Sequence, residues 1–393
     1  MASISTSKLA VHERASLTGN TPANSTWGYV AVQKPGVSGG PANQTVESQL
    51  IRNNRNPAGL KLVGPQSALT IPFETQIPTA SSDVWWLMLK ASIYSAASTA
   101  AVSTTGFTWS TTVLTGTTTG FERGDVIEIF PTTGGTPKYY ARVTSTPGAN
   151  MSIDLDKTVA GAGAGPFTVR RGITIKNGST QKNFAMLRIF QAAGTTADNR
   201  YEQFDKETID SCSLSLTNKG IINGTFATVG VGSDQIVTTL GTLREDQASG
   251  TFNAAPTGEV IDATNNVPWV NVAGVEYGVQ SVSFSWNNNS QARSNVGDYV
   301  AESISVGDFR GTGQFTAYFA DIAEFNKALL GTASSMYVVM KNSSGGIITI
   351  SIPRVRYGNP TLNGQDRDVI ASMPFQFEED STEAIGIRIS FFA

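Results

Sequence analysis

Residues 209–226 read Ile209-Asp-Ser-Cys-Ser-Leu-Ser-Leu-Thr-Asn-Lys-Gly-Ile-Ile-Asn-Gly-Thr-Phe226. Apolar and hydroxyl side chains alternate from Cys212 to Leu216, so Cys212, Leu214 and Leu216 fall on one face and the serines on the other. A period of two is the signature of a half-buried strand. A second extended run follows from Ile221 to Val229. The same grammar recurs outward in both directions. It reads as strands at Gly28–Gln33, Val46–Leu50, Leu60–Phe73, Ile173–Lys176 and Phe184–Phe190 on one side. On the other it gives Val279–Trp286, Met336–Lys341, Ile347–Ile352, Val369–Phe377 and Ile385–Phe392. Two stretches break the pattern. Ser81-Ser-Asp83 supplies N-cap chemistry before an apolar run, Val84 to Ile93, and Asp321 opens a second capped segment ending at Leu330; both are expected to be short helices. The fold class is therefore all-β.

Composition agrees. Of 393 residues 40% are hydrophobic, enough for a buried core, and only 15% are charged, against about 25% in ordinary soluble domains. Polarity comes from Ser, Thr, Asn, Gln and 39 glycines, which suits short strands, tight turns and a surface covered by neighbours. The net charge of −3 and the lack of any basic run argue against tight phosphate binding. One cysteine rules out an internal disulfide, and no 18-residue apolar stretch exists to span a membrane. Met1 to Thr18 has no apolar centre, so no signal peptide is expected. Residues 1–27 carry no periodicity and read as a flexible arm; 234–270 read as a connector.

Ser95 to Thr119 is nearly all Ser, Thr, Ala and Gly, and after it Phe121–Phe130, Tyr139–Thr144 and Met151–Leu155 alternate up to the linker Ala160–Gly165. This segment, 98–169, is expected to form a small separate β-barrel on flexible hinges. The rest contains one unit twice. Tyr29-Val-Ala-Val32, a loop and Val46-Glu-Ser48 match Phe284-Ser-Trp286, a loop and Ala301-Glu-Ser303. Trp85–Leu89 matches Phe325–Leu329, Ile175–Ser179 matches Met340–Ser344, and Ile209–Leu216 matches Ile370–Phe377. Trp85 and Phe325 are 240 positions apart, Lys176 and Lys341 only 165, so the first copy holds 75 more residues, the size of the barrel segment.

The order of these stretches resembles the phage tail tube proteins, or major tail proteins. The resemblance rests on Val46-Glu-Ser48 with Arg52 and Arg55, on residues 209–226, on Gly313-Gln-Phe-Thr-Ala-Tyr-Phe319, and on Ile352-Pro-Arg-Val-Arg356 onward to Phe392. It implies duplicated β-sandwich units with one helix each: a first tube domain of 28–97 and 170–233, the inserted barrel, and a second tube domain of 271–393. It further implies a structural virion protein, made in the bacterial host cytoplasm, that stacks in rings around a DNA channel. Its partners would be itself, other tail proteins at the tube ends, and DNA passing without specific binding; no membrane and no cofactor is implied. With four lumen strands per unit, the duplication predicts a trimeric, pseudo-hexameric ring rather than a hexamer. A second reading is an attachment or baseplate protein with β-domains.

Particular residues carry particular expectations. The loops Lys34–Thr45 and Asn287–Asp298, polar and too long for tight hairpins, are expected to stack ring on ring, through Lys34, Gly36, Gly40, Asn43, Asn287, Asn289, Arg293 and Asn295. Glu47 and Glu302, at matching places, are candidates for interface ion pairs. Trp85, Trp86, Leu89, Phe325 and Leu329 are expected to form helix-on-sheet core. Nothing points to catalysis or metal binding. His12 is the only histidine, Cys212 sits on an alternating strand, and Gly311-Thr-Gly313 lacks a third glycine. Arg123-Gly-Asp125, Asp154 with Asp156, and Glu378-Glu-Asp380 are read as turn or solvated charges rather than adhesion or cation sites. A glycosidase would need two carboxylates facing a cleft.

Overall fold

The computed structural model describes residues 4–392 except 15–25, 35, 42–43, 48–58, 136–137, 156–164, 193–198, 233–235, 239–250, 256–257, 268, 273–274, 277, 298–299, 319–322 and 365–368. The chain opens with β1 (Ile4–Arg14), β2 (Thr26–Val30), β3 (Ser38–Pro41), β4 (Gln44–Glu47), β5 (Leu60–Gly64), β6 (Ser67–Glu74) and helix α1 (Val84–Ser92). There follow β7 (Val102–Ser110), β8 (Val113–Thr115), β9 (Val126–Pro131), β10 (Tyr139–Val143), β11 (Asn150–Asp154) and β12 (Phe167–Arg171). Next come β13 (Ile173–Lys176), β14 (Asn183–Ala192), β15 (Arg200–Thr217), β16 (Asn223–Val229) and β17 (Thr251–Asn253). The second half holds β18 (Trp269–Val272), β19 (Val275–Glu276), β20 (Val279–Asn287), β21 (Gln291–Arg293), β22 (Ser303–Ser305), β23 (Arg310–Tyr318) and α2 (Ala323–Leu330). It closes with β24 (Ser334–Lys341), β25 (Ile347–Tyr357), β26 (Thr361–Gly364), β27 (Val369–Phe377) and β28 (Arg388–Phe392).

Alternation places these strands. On β15 and β20, Cys212, Leu214, Leu216, Val282, Phe284 and Trp286 are buried, while the serines between them face away from the core. The result is one antiparallel run in the order β3–β6–β16–β15–β20–β23–β27–β26. Its halves repeat: β3–β6–β16–β15 is the pattern of β20–β23–β27–β26. Each half also repeats one packing device. Gly224 faces Phe73 across β16 and β6, and Gly313 faces Phe375 across β23 and β27. A Cβ would lie 2.6 Å from the Phe73 Cζ in the first pair and 2.3 Å from the Phe375 Cζ in the second, so only glycine lets the ring lie over the strand.

The sheet order corrects one sequence match. Ile209–Leu216 lies on β15, but the strand occupying the place of β27 is β16. Adjacent strands of one sheet share the period-two pattern, so a match by pattern slides easily by one strand.

A second layer covers the first. β17, β2, β1 and β14 lead into the first part of β15, and β19, β18, β24, β25, β28 and β13 form the other part. β15 belongs to both layers, pairing with β14 up to Thr208 and with β16 and β20 beyond it. Helix α1 is filled in between. Trp86 meets Phe391 edge-on at 4.6 Å and Trp85 meets Phe73 at 5.8 Å. Asp83 does not cap the helix; its Oδ2 accepts from the N–H of Thr79 at 2.7 Å and so closes the preceding turn.

Several expectations are corrected. The supposed flexible arm contains β1, registered against β14 from Ile4 to Arg14 and against β2 from Leu9 to Val11. Leu9, Ala10 and Val11 are all buried because β1 is covered on both faces, which erases the alternation that would have revealed it. Burial of Leu9 and Val11 alone contributes roughly 1.5–3 kcal/mol per side chain. Deleting residues 1–14 is therefore expected to lower the unfolding temperature sharply or abolish soluble protein; an unchanged melt would mean β1 is dispensable. The connector is likewise pinned in part: β17 pairs with β2, stacking Phe252 on Tyr29 at 5.5 Å. Phe325 is half-buried, and Leu329, expected in the core, is exposed.

The inserted segment is a closed barrel, β10–β11–β8–β7–β12–β9. Its first strand, β7, lies within the Ser/Thr-rich stretch, where Phe107 and Trp109 point inward. Its last runs to Arg171, past the expected boundary at 169. The barrel is docked, not merely tethered: Val126 and Tyr140 pack with Tyr337, Val339, Ile347 and Phe392 of the outer layer. The linker 160–165 falls almost wholly outside the described residues.

Candidate assembly surface

The non-core face of the antiparallel run is built by strand register. Cross-strand partners share a face. Thr70 lies opposite Ala227, Ala227 opposite Ser211 and Ser211 opposite Asn287. In the next row Pro72 leads to Thr225, Ser213, Ser285, Thr312 and Gln376. Hydroxyls and amides hold one another there: Ser213 and Thr225 at 2.8 Å, Gln314 with Ser372. From β6 to β27 the charged residues on this face are Glu74 and Arg310, each at the end of its strand. A shallow depression of about 470 Å³ lies on it, lined by Ser213, Ser215, Asn223, Thr225, Ser283 and Gln314 among others.

The run ends in two edges. β3 pairs with β6 and β26 with β27, and among the described residues neither has a strand on its other side. Between the halves the same kind of edge is filled. There β15 pairs with β20 from Ser211–Asn287 to Thr217–Ser281. The Trp286 indole N–H donates to Ser92 Oγ at 3.1 Å, and Asn288 Nδ2 donates to the Ser92 and Asp210 carbonyls, both at 2.9 Å. Ser290 N–H donates to Asp210 Oδ1 at 2.6 Å, and Tyr94 and Ser290 hydroxyls meet at 2.7 Å. Burial pushes the Tyr94 phenol up to about 12, so it stays protonated as a bonding group. Sequence reasoning missed this lock, because Asn287-Asn-Asn-Ser290 has the composition of a loop.

The stacking candidates divide. Lys34 and Gly36 sit in a break of the strand beside β6, where Gly36 N–H donates to Gln33 O at 2.9 Å, and Gly40 lies in β3. Asn43 lies outside the described residues. Each half also carries a separate two-stranded pair, β4–β5 or β21–β22, and Ala292 and Ile304 of the second pack with Val231. Arg293 lies in β21; Asn287 ends β20, and Asn289 reaches Asp308 O at 2.8 Å. Asn295 donates to Glu302 at 2.6 Å beside the second hairpin. Glu47 lies on the first strand of its hairpin and Glu302 just before the second strand of the other, so their places in the fold differ. Both hairpins carry exposed apolar side chains, Val46, Leu60 and Leu62 on one and Val296 on the other.

The remaining candidates are structural. The His12 Nδ1–H donates to the Thr26 carbonyl at 2.9 Å, and the ring lies against Trp27. Burial pushes the Cys212 thiol well above its ordinary range. Arg123-Gly-Asp125 is engaged in a charged clamp between barrel and outer layer. Arg388 binds Asp125 at 2.5 Å, Arg171 binds it at 3.2 Å, and Arg142 binds Glu383 at 2.6 Å. Lys176 pairs with Glu122. Arg354 and Arg356 pair with Glu378, and the hydrogen bond from Arg356 lowers its carboxyl below the usual range. Asp380 accepts from the N–H groups of Thr382 and Glu383, and Asp156 lies outside the described residues. Among the described residues no cluster could hold a metal ion, and no helix is long and apolar enough to cross a membrane.

A polar sheet face with charges only at its strand ends, a core on the other side and two strand edges characterise this β-protein. The chain matches the family model of the phage tail tube proteins over residues 5–377, nearly its whole length, and belongs to that family. None of the curated proteins compared with it matches.

Proposed function

We propose that the antiparallel run forms one third of the wall of a phage tail tube, its polar face lining the channel through which DNA passes. The observation that supports this is the twofold repeat of four strands ending in two edges. Three copies bring twenty-four such strands; at ~4.8 Å spacing and ~40° tilt they close a barrel of ~48 Å backbone diameter, or ~35–40 Å after side chains. Duplex DNA, about 20 Å across, passes. Six copies would give a bore about twice as wide. The weakly charged hydroxyl and amide face supports conduction without capture, since phosphate binding needs clustered cations. Imaging of the purified protein is expected to give hollow tubes; discrete particles that never polymerise would favour an attachment protein instead.

The hairpins β4–β5 and β21–β22 reach along the tube axis and order against the next ring, through Val46, Leu60, Leu62 and Val296. Replacing both with Gly-Ser spacer is expected to leave rings but block their stacking, because contacts and ordering are lost together. Tubes of normal length from that variant would sink the assignment. The barrel projects outward, clamped to the outer layer by Arg388 and its neighbours.

A further inference from the structure

Resting on the reading of β4–β5 and β21–β22 as stacking hairpins, we propose that Glu207 couples the two, so that seating one against the next ring orders the other. The hairpins belong to different halves of the chain, yet both are rooted on one buried spot. β5 ends at Gly64, and after Pro65 and Gln66 the chain enters β6 at Ser67, which is buried. Ser67 exchanges backbone hydrogen bonds with Gly230: its N–H donates to the Gly230 carbonyl at 3.2 Å and its carbonyl accepts from the Gly230 N–H at 2.9 Å. Next to Gly230, Val231 packs with Ala292, Ala301 and Ile304 in and beside the second hairpin. The root of one hairpin and the floor of the other are thus the two ends of one short bridge.

Glu207 lies against this bridge and is wholly buried. Ser67 Oγ donates to its Oε1, and Thr228 Oγ1 donates to its Oε2 at 2.5 Å. Both hydroxyls also accept: Ser67 Oγ takes the Gly232 N–H at 3.2 Å, and Thr228 Oγ1 takes the Leu69 N–H at 3.1 Å. A carboxylate, which only accepts, closes both arms; a glutamine would turn an amide N–H toward one hydroxyl and open that arm. The space is tight, since a Cβ on Gly230 would lie 2.0 Å from Glu207 Oε1 and one on Gly232 would lie 3.1 Å from Pro65. The residue before Glu207, Lys206, has φ +54°, rare for a residue with a side chain, and the register of β15 on β14 slips there, between Phe184 and Met186. Backbone strain of this kind persists where the surrounding structure holds it. Glu207 fastens Ser67 to Thr228, so Ser67, Gly230 and Val231 move as one piece with both hairpins. Without that hold each root moves separately.

The critical concentration for polymerisation tests this, with Leu62→Ser and Val296→Ser as mild lesions at exposed positions of the two hairpins. With Glu207 in place, each is expected to raise it, and the double variant should fall short of the product of the two effects by at least about fivefold. With Glu207→Gln added, the two effects should simply multiply, because each hairpin then seats alone. Effects that multiply with Glu207 in place, or a shortfall that survives Glu207→Gln, would overturn the proposal. Should Glu207→Gln melt early, amide exchange in tubes of the Leu62→Ser variant serves instead. Residues 291–293 and 303–305, in the untouched hairpin, should exchange faster than in wild-type tubes; unchanged exchange there would overturn the coupling. Single variants that polymerise as wild type does would contradict the stacking reading itself, and the coupling with it. Single effects that multiply contradict only the coupling.

Discussion

Replacing Arg388 with Met is expected to destabilise the protein by about 3–5 kcal/mol, read as a fall in the denaturant midpoint. The Arg388 side chain is almost fully buried, and so is Asp125, which it binds at 2.5 Å across the seam between barrel and outer layer. Removing one partner leaves a buried carboxylate held by Arg171 at 3.2 Å and by the Glu122 N–H at 2.7 Å. Glu122 and Glu383, at 3.5 and 4.0 Å from the Arg388 guanidinium, lose a counter-charge as well. Adding Asp125→Leu should recover only part of the loss, since it removes the uncompensated carboxylate but takes the counter-charge from buried Arg171, which keeps its bonds to the Gly120 and Ala100 carbonyls. A loss below about 1 kcal/mol for Arg388→Met would place the clamp among solvated surface pairs. The barrel would then be held chiefly by the packing of Val126 and Tyr140 on Tyr337, Val339, Ile347 and Phe392.

Trp86→Ala should cost about 3–5 kcal/mol, the range for emptying a large aromatic site in a packed core. Trp86 is wholly buried, edge-on to Phe391, and its indole N–H donates to Ser98 Oγ at 3.3 Å. Leu329→Ala on the sister helix should change monomer stability by no more than about 0.5 kcal/mol, as exposed sites do. Equal losses at both sites would refute the contrast between a buried helix face and an exposed one.

The all-β class, the two helices, the barrel and the family were legible in the sequence because each is written in local pattern: alternation on β15 and β20, an apolar run at Val84–Ser92, a composition change at Ser95. What escaped lies where pattern and environment part. β1 is buried on both faces, so Leu9, Ala10 and Val11 look unperiodic. Phe107 and Trp109 mark β7, but the Ser/Thr background around them hid it. Leu329 looks like core because α1 and α2 share an apolar pattern, while only α1 is covered by a second unit in the same chain. The lock at Ser92, Asp210, Asn288 and Ser290 joins residues far apart in sequence, and short polar runs do not announce their partners. The charged clamp was invisible for the same reason: Asp125 precedes barrel strand β9 and Arg388 opens β28, far apart in sequence, and Arg123-Gly-Asp125 reads as an exposed turn.

The central claim is that one chain supplies two adjacent wall units. A cryo-EM reconstruction of the assembled tube tests it most directly, by counting chains in one ring and strands around the channel. The account predicts three chains, twenty-four strands and pseudo-sixfold symmetry, with a clear bore of ~35–40 Å. Six chains per ring, or a channel lined by any face other than that of Ser213, Ser285 and Gln314, would contradict it.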